Sequence, residues 1–234
     1  AGADSLSDIT FDVAPGETVG IIGGTGSGKS SLVNMIPRFY DASQGSVCID
    51  GVDVKDYTLD ELRHKVGVVP QKAVLFAGTI ADNIRWGKQD ATEAEIDEAL
   101  EIAQAKEFVD GKENGIYFKI TQGGKNLSGG QKQRLTIARA VVRKPEILIL
   151  DDSASALDFA TDAALRKAIR EKTKGMTVFL VSQRASTIMN SDKIIVMDDG
   201  QIAGIGTHRQ LLSNCEIYRE ICQSQLSEEE LSHE

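Results

Sequence analysis

Cysteine is scarce in this sequence: Cys48, Cys215 and Cys222 are the only three, odd in number and far apart. That excludes a disulfide framework and shows no zinc spacing; buried or idle thiols in a reducing compartment fit better. No apolar run approaches the roughly 20 residues of a membrane-spanning helix, and no signal-peptide pattern opens the chain, so a soluble polypeptide is expected. Basic charge is also in deficit. A net charge of −9 argues against a broad nucleic-acid-binding face, so no nucleic-acid partner is expected. Repeats, long linkers and low-complexity tracts are missing too. The opening "AGADSLSDITF" enters a strand-like pattern at once, which suggests a piece of a longer polypeptide, and the acidic tail "SEEELSHE" reads as a solvated end.

What is present is an ordinary globular composition, 41% apolar and 26% charged over 234 residues, enough to bury a core and carry a site. "ITFDV" and "PGETVGIIG" read as two strands joined by a Pro-Gly turn, the second continuously apolar as a strand covered on both faces should be. A helix should start near Gly28 and run through "KSSLVNMI". "GSVCIDGVDV" predicts a hairpin turning at Asp50-Gly51, "LDELR" a short helix, and "VGVVP" a strand stopped by Pro70. In the middle, "TEAEIDEALEIAQAKEFV" keeps the helical period through Ile96, Leu100, Ala103 and Val109, and "SGGQKQRLTIARAVV" is a second helix closed by Pro145. Strands return as "EILIL", "TVFLVS", "KIIVMDD" and "QIAGIG", with the helix "ATDAALRKAIREKT" between the first two. This alternation argues an α/β core with a mainly parallel sheet and an inserted helical lobe.

The motif with the clearest chemistry is "GGTGSGKS", Gly23 to Ser30, which matches G-x-x-x-x-G-K-[ST] and lies between a strand and a helix as that motif requires. Its glycines let successive backbone N–H groups turn inward around a phosphate, and the helix presents its positive end to the same anion. Lys29 is placed to reach the β- and γ-phosphates, and the Ser30 hydroxyl to coordinate Mg²⁺. A metal-nucleotide site also needs an acid at a strand end, and Asp151 closes the run "ILIL". A lone Asp there can equally make a turn or cap a helix; the upstream phosphate loop favours the metal.

"LSGGQ", Leu127 to Gln131, opens the helix that ends near Arg143, and its glycines and Ser128 form a second anion-binding helix start. With "GGTGSGKS" before it and "ILILDD" after it, the set resembles the ATP-binding-cassette (ABC) ATPases over essentially the whole chain. "VVPQ" is similar to that family's Q-loop, with Gln71 in the glutamine position, and "SALD" to its D-loop, ending in Asp158. "LFAGTIADNI" and "QGGKNLSGGQKQR" resemble the multidrug-exporter branch. The resemblance implies a P-loop NTPase (RecA-like) core with an antiparallel β-subdomain and a helical signature subdomain at about 73–144, together one ATP-binding domain over 1–234. It implies that ATP contacts Gly23, Gly24, Thr25, Gly26, Ser27, Gly28, Lys29, Ser30 and Ser31. A head-to-tail partner's nucleotide would meet Ser128, Gly129, Gly130, Gln131 and Asp158, and Mg²⁺ would be held by Ser30, Gln71 and Asp151. The partners implied are a second ABC domain and the transmembrane domain of an exporter, at the cytoplasmic face of the cell membrane.

Three places depart from the family's pattern. The residue after the metal-binding Asp is usually Glu, which orients or deprotonates the attacking water; here it is Asp152, shorter by about 1.5 Å. The family's switch region usually reads His-Arg, whereas "VSQRAST" puts Gln183 there, a neutral amide without the charge available to imidazole. With Gln71, these are the residues the resemblance assigns to catalysis. Both losses fall on hydrolysis while the binding residues stay, which is the pattern of the degenerate half of a heterodimeric exporter. The third concerns adenine: nothing aromatic precedes Phe11, itself in a strand pattern, so an upstream segment and weak base stacking are expected. A soluble ABC ATPase acting on DNA or ribosomes is disfavoured by the absent coiled coil, and a GTPase or kinase by "LSGGQ". A regulatory ATP-binding module differs from the exporter reading only in what precedes it.

Overall fold

A computed structural model of the protein describes residues 5–227 except residue 154. The chain begins with strand β1 (Thr18–Gly23), helix α1 (Lys29–Met35), the short strands β2 (Cys48–Ile49) and β3 (Val52–Asp53), and helix α2 (Leu59–Lys65). It continues through β4 (Val66–Val69), β5 (Gly78–Thr79), α3 (Ile80–Arg85), α4 (Glu93–Ile102), α5 (Lys106–Asp110), β6 (Lys119–Ile120), α6 (Gly129–Val141), β7 (Ile147–Asp151) and α7 (Phe159–Lys172). It closes with β8 (Thr177–Val181), α8 (Ala185–Ile188), β9 (Lys193–Asp198), β10 (Gln201–Gly206), α9 (His208–Asn214) and α10 (Glu216–Gln225). The described residues form two compact units, one of those up to 66 together with those from 177 onward, the other of those from 67 to 176.

In the first unit the strands lie in the order β10-β9-β1-β8. β1 runs parallel to both neighbours, with Ile21 opposite Val181 on one side and Gly23 opposite Met197 on the other. Val19, Ile21, Ile22, Ile194, Ile195, Val196 and Met197 are all fully buried, which is why these strands read as unbroken apolar runs. β10 returns antiparallel to β9 with an irregularity between Ile202 and Gly204. The β2–β3 hairpin turns where the sequence places it: Asp50 and Gly51 both take positive φ, 53° and 78°, as a two-residue turn of this hand requires.

In the second unit β7 lies beside β4, β5 pairs antiparallel with β6, and α3 and α4 pack on α6. Its core is Ile80, Ile84, Ile96, Leu100, Leu135, Ile137, Leu148 and Ile149. Among the described residues no helix is long and apolar enough to cross a membrane.

Two sequence expectations are corrected. "ITFDV" forms no strand. Its backbone makes no ladder, being tied instead by Asp12 O accepting from Lys193 Nζ at 2.6 Å and by the turn Glu17 N–H to Ala14 O. The single helix expected from Thr92 to Val109 is broken between α4 and α5. Gln104 takes a left-handed φ of 54°, and the Ala105 N–H closes back onto Leu100 O at 2.7 Å. That is a Schellman-type stop, with glutamine where glycine is usual.

Candidate functional site

Within the first unit, three parallel strands deliver their carboxyl ends to one edge, where α/β folds gather their ligands. β1 ends in Gly23 and runs directly into the loop "GGTGSGKS". A Cβ on Gly23 would sit 2.1 Å from Met197 O, so only glycine allows β9 to come this close. Gly26 needs glycine for a different reason: its φ is 84°, with open space around it. Gly24 also faces open space, so the loop's outer face is bare backbone. The loop is closed by Ser27 N–H to Gly24 O and fastened by Gly200 N–H to Ser27 O. Gly28 caps α1 without a side-chain hydrogen bond. Thr25 and Ser30 are exposed and Ser31 is half-buried.

Lys29 is 8% exposed, and its Nζ donates to Gly23 O at 2.8 Å and to Gly24 O at 2.6 Å. The buried ammonium thus stands beside the bare backbone of the loop, its donors held by the loop's own carbonyls and by Ser27 Oγ at 3.3 Å. On the neighbouring strand, Ser182 N–H donates to Ile21 O at 3.0 Å. Continuing the β1–β8 register therefore carries Gln183 level with the start of the loop. Gln183 is exposed.

Within the second unit, β7 ends in Asp151, and the chain turns sharply at Asp152, whose φ is 45°. Asp is among the few residues that tolerate this left-handed conformation. Its carboxylate accepts from Gln71 Nε2 at 3.0 Å, and its carbonyl from Ser155 Oγ at 2.9 Å. The structure thus joins two of the three residues assigned to catalysis. Asp158 caps α7, accepting from Thr161 N–H at 2.9 Å and Thr161 Oγ1 at 2.8 Å. These bonds, with a smaller contribution from the Arg134 charge, hold its carboxyl below the usual range.

Ser128 caps α6 in a reciprocal box: its Oγ accepts from Gln131 N–H at 3.2 Å, and Gln131 Oε1 accepts from Ser128 N–H at 3.0 Å. The signature residues therefore build the helix start they present. Gly129 borders open space, while a Cβ on Gly130 would press to 3.2 Å from Ala156 O. Replacing Ser128 by Ala should lower stability by about 1 kcal/mol. Thermal unfolding should show it as a fall in Tm of roughly 2–4 °C.

Sequence reasoning missed how α6 holds both flanks of Gln71. Gln133, 1% exposed, donates to Pro70 O at 3.3 Å. Arg139 donates to Val74 O at 2.9 Å and to Asn83 O at 2.8 Å, and burial lowers its pKa. Asn83 in turn accepts from Phe76 N–H at 2.9 Å. A buried Gln133 and a half-buried Arg139 beside the apolar positions of α6 were the available signal. Nearby, a pocket of about 170 Å³ opens beside Trp86, which stacks on Phe76 at 4.8 Å; it contains none of the predicted site residues.

The implied metal suits the residues offered for it. A hydroxyl, an amide oxygen and a carboxylate, from Ser30, Gln71 and Asp151, are the hard oxygen donors Mg²⁺ prefers. Among the described residues no group of three or more His, Cys, Asp or Glu could hold a metal unaided.

Fold and loop together define a nucleotide-binding α/β protein of the phosphate-loop class. The ABC transporter family profile matches residues 6–155, and the chain belongs to that family. It is 47% identical over 229 residues, 96% of its length, to an uncharacterised ABC transporter ATP-binding protein of Mycobacterium tuberculosis (strain H37Rv). It is 46% identical over 93% of its length to the probable multidrug resistance ABC transporter ATP-binding/permease protein YheI of Bacillus subtilis. An ATP-dependent lipid A-core flippase of Hahella chejuensis is 42% identical over 97% of the chain. The chain spans only 37–39% of the length of these three relatives. Among solved structures, a bacterial Atm1-family ABC exporter with ATP bound superposes with a TM-score of 0.92 at 38% identity, covering 97% of this chain and 41% of that one. The fold is accordingly that of an ABC ATPase, with a mainly parallel sheet and added antiparallel strands.

Proposed function

We propose that residues 1–234 are one ATP-binding domain of an exporter, with a helical insertion at about 73–144, and that its own site holds ATP but hydrolyses it poorly. The observation that carries the second half is the pairing of an intact phosphate loop with two altered hydrolytic positions, Asp152 and Gln183. ATP binds Gly23 to Ser31, with Lys29 leaving its loop carbonyls for the β- and γ-phosphates. Ser30, Gln71 and Asp151 hold Mg²⁺, which neutralises phosphate charge when bound.

Asp152 is short of the position from which Glu would orient water, and a misplacement of about 1 Å can cost on the order of a hundredfold in rate. Gln183 can donate to a γ-phosphate oxygen but adds no positive charge there.

The intact "LSGGQ" completes the competent site of a second, different ABC subunit packed head to tail. ATP at that interface bridges two surfaces that otherwise do not bind, and its hydrolysis removes the bridge. Closure drives a transmembrane domain, so the chain works at the cytoplasmic face of the membrane. The test is Asp152→Ala in this chain paired with a partner carrying Glu and His at the equivalent positions. ATP turnover of the pair should stay within about twofold of the unaltered pair, since an interaction that is not made cannot be lost. A loss of tenfold or more would refute the proposal.

A further inference from the structure

The segment that carries Gln183 is held by a residue forty positions away. Helix α8 starts at Ala185, and its N-cap Arg184 supplies no side-chain hydrogen bond. Ala185 is fully buried, so its N–H needs a partner from elsewhere. Gln225, the last residue of α10, provides it: Oε1 accepts from Ala185 N–H at 2.8 Å, and Nε2 of the same amide donates to Gln183 O at 2.8 Å. One side chain therefore fixes the backbone on both sides of Arg184. The Arg184 N–H between them donates to Ser182 Oγ at 3.0 Å.

Gln225 is exposed, but the helix that carries it is anchored. Tyr218, Cys222 and Gln225 stand at i, i+4 and i+7, one stripe of α10. Tyr218 and Cys222 are fully buried, and the Tyr218 hydroxyl lies 2.7 Å from Nδ1 of buried His208. The buried part of the stripe sets the rotation and height of the helix, and its last member reaches the switch segment. A helix free to shift could not hold both backbone atoms at hydrogen-bond distance.

We propose that Gln225 is a positioning residue for Gln183, so that the C-terminal helix sets how well this chain distinguishes ATP from ADP. The inference rests on reading Gln183 as a γ-phosphate contact. Gln225 touches no nucleotide in this scheme; it fixes the backbone from which Gln183 reaches. Loosening that backbone should weaken only the contact that ADP lacks.

The experiment measures the affinities of the full chain for ATP and ADP, each with Mg²⁺, for wild type, Gln183→Ala, Gln225→Met and the double variant, with amide exchange at Ala185 recorded in parallel. Gln225→Met should speed exchange at Ala185 and lower ATP affinity about three- to tenfold, the range set by losing one hydrogen bond, that of Gln183 to the γ-phosphate, while ADP affinity stays put. The double variant should be no worse than the poorer single one, because both act on the same contact. Gln225→Glu keeps the acceptor for Ala185 N–H but not the donor to Gln183 O. It should fall between wild type and Gln225→Met, and it carries the test if Gln225→Met does not fold. Wild-type ATP affinity in both Gln225 variants, or an equal loss for ATP and ADP, would overturn the inference while leaving the Gln183 reading intact. Unchanged ATP affinity in Gln183→Ala would instead remove that reading, and the inference with it.

Discussion

Changing Asp152 to Glu and Gln183 to His in the same molecule is expected to raise its ATP turnover on the order of a hundredfold, measured as phosphate released per chain. The longer acid regains about 1.5 Å of reach toward an attacking water, and the imidazole can carry charge to the γ-phosphate. Either change alone should recover less, because proton abstraction and charge stabilisation act on one transition state. The gain has a local cost. Residue 152 sits at a φ of 45°, a conformation that Asp tolerates and Glu does not favour, so the double variant should lose up to about 1–2 kcal/mol of stability. It must also release the Gln71 bond that the shorter carboxylate now accepts. Turnover that rises while stability falls is the signature of a site whose hydrolytic group has been withdrawn in favour of a relaxed backbone.

Lys29→Met should show its largest effect on binding. The ammonium is buried and bonded to two loop carbonyls, so it both shapes the loop and stands ready for phosphate. Charge-assisted hydrogen bonds contribute about 1.5–3 kcal/mol each, so losing those to the β- and γ-phosphates should weaken ATP at least a hundredfold. Titration calorimetry should find ADP weakened as well, since the β-phosphate loses its partner too. This separates Lys29 from Gln183 and Gln225, whose effects should be confined to ATP. Met fills the same channel without a donor, so the loop should stay folded but lose the clasp between Gly23 and Gly24.

Much of this was legible because it is written locally. The phosphate loop announces itself through glycines whose reasons are backbone ones: no room at Gly23, positive φ at Gly26. The Asp50-Gly51 turn and the Ser128–Gln131 box are equally local, and the continuous apolar runs mark strands covered on both faces. What escaped was either a local exception or a long-range bond. Gln104 stops α4 in a conformation usually left to glycine, so the helical period runs on through the break. "ITFDV" has strand composition but no ladder, and composition cannot report whether a partner strand exists. Asp158, which the resemblance makes the end of the D-loop, also caps α7, a role its place in "SALD" does not announce. The two helices after Gly206, and the reach of Gln225 to Gln183 and Ala185, depend on contacts across the fold that no spacing encodes.

The most direct test is to identify the nucleotide this chain retains. The protein is incubated with Mg-ATP for long enough that a relative with Glu and His at the two changed positions would complete many turnovers. It is then freed of unbound ligand and its bound nucleotide analysed. An altered acid and an uncharged amide beside a working phosphate loop predict intact ATP as the main species. Mostly ADP, with phosphate released in proportion to time, would contradict the account.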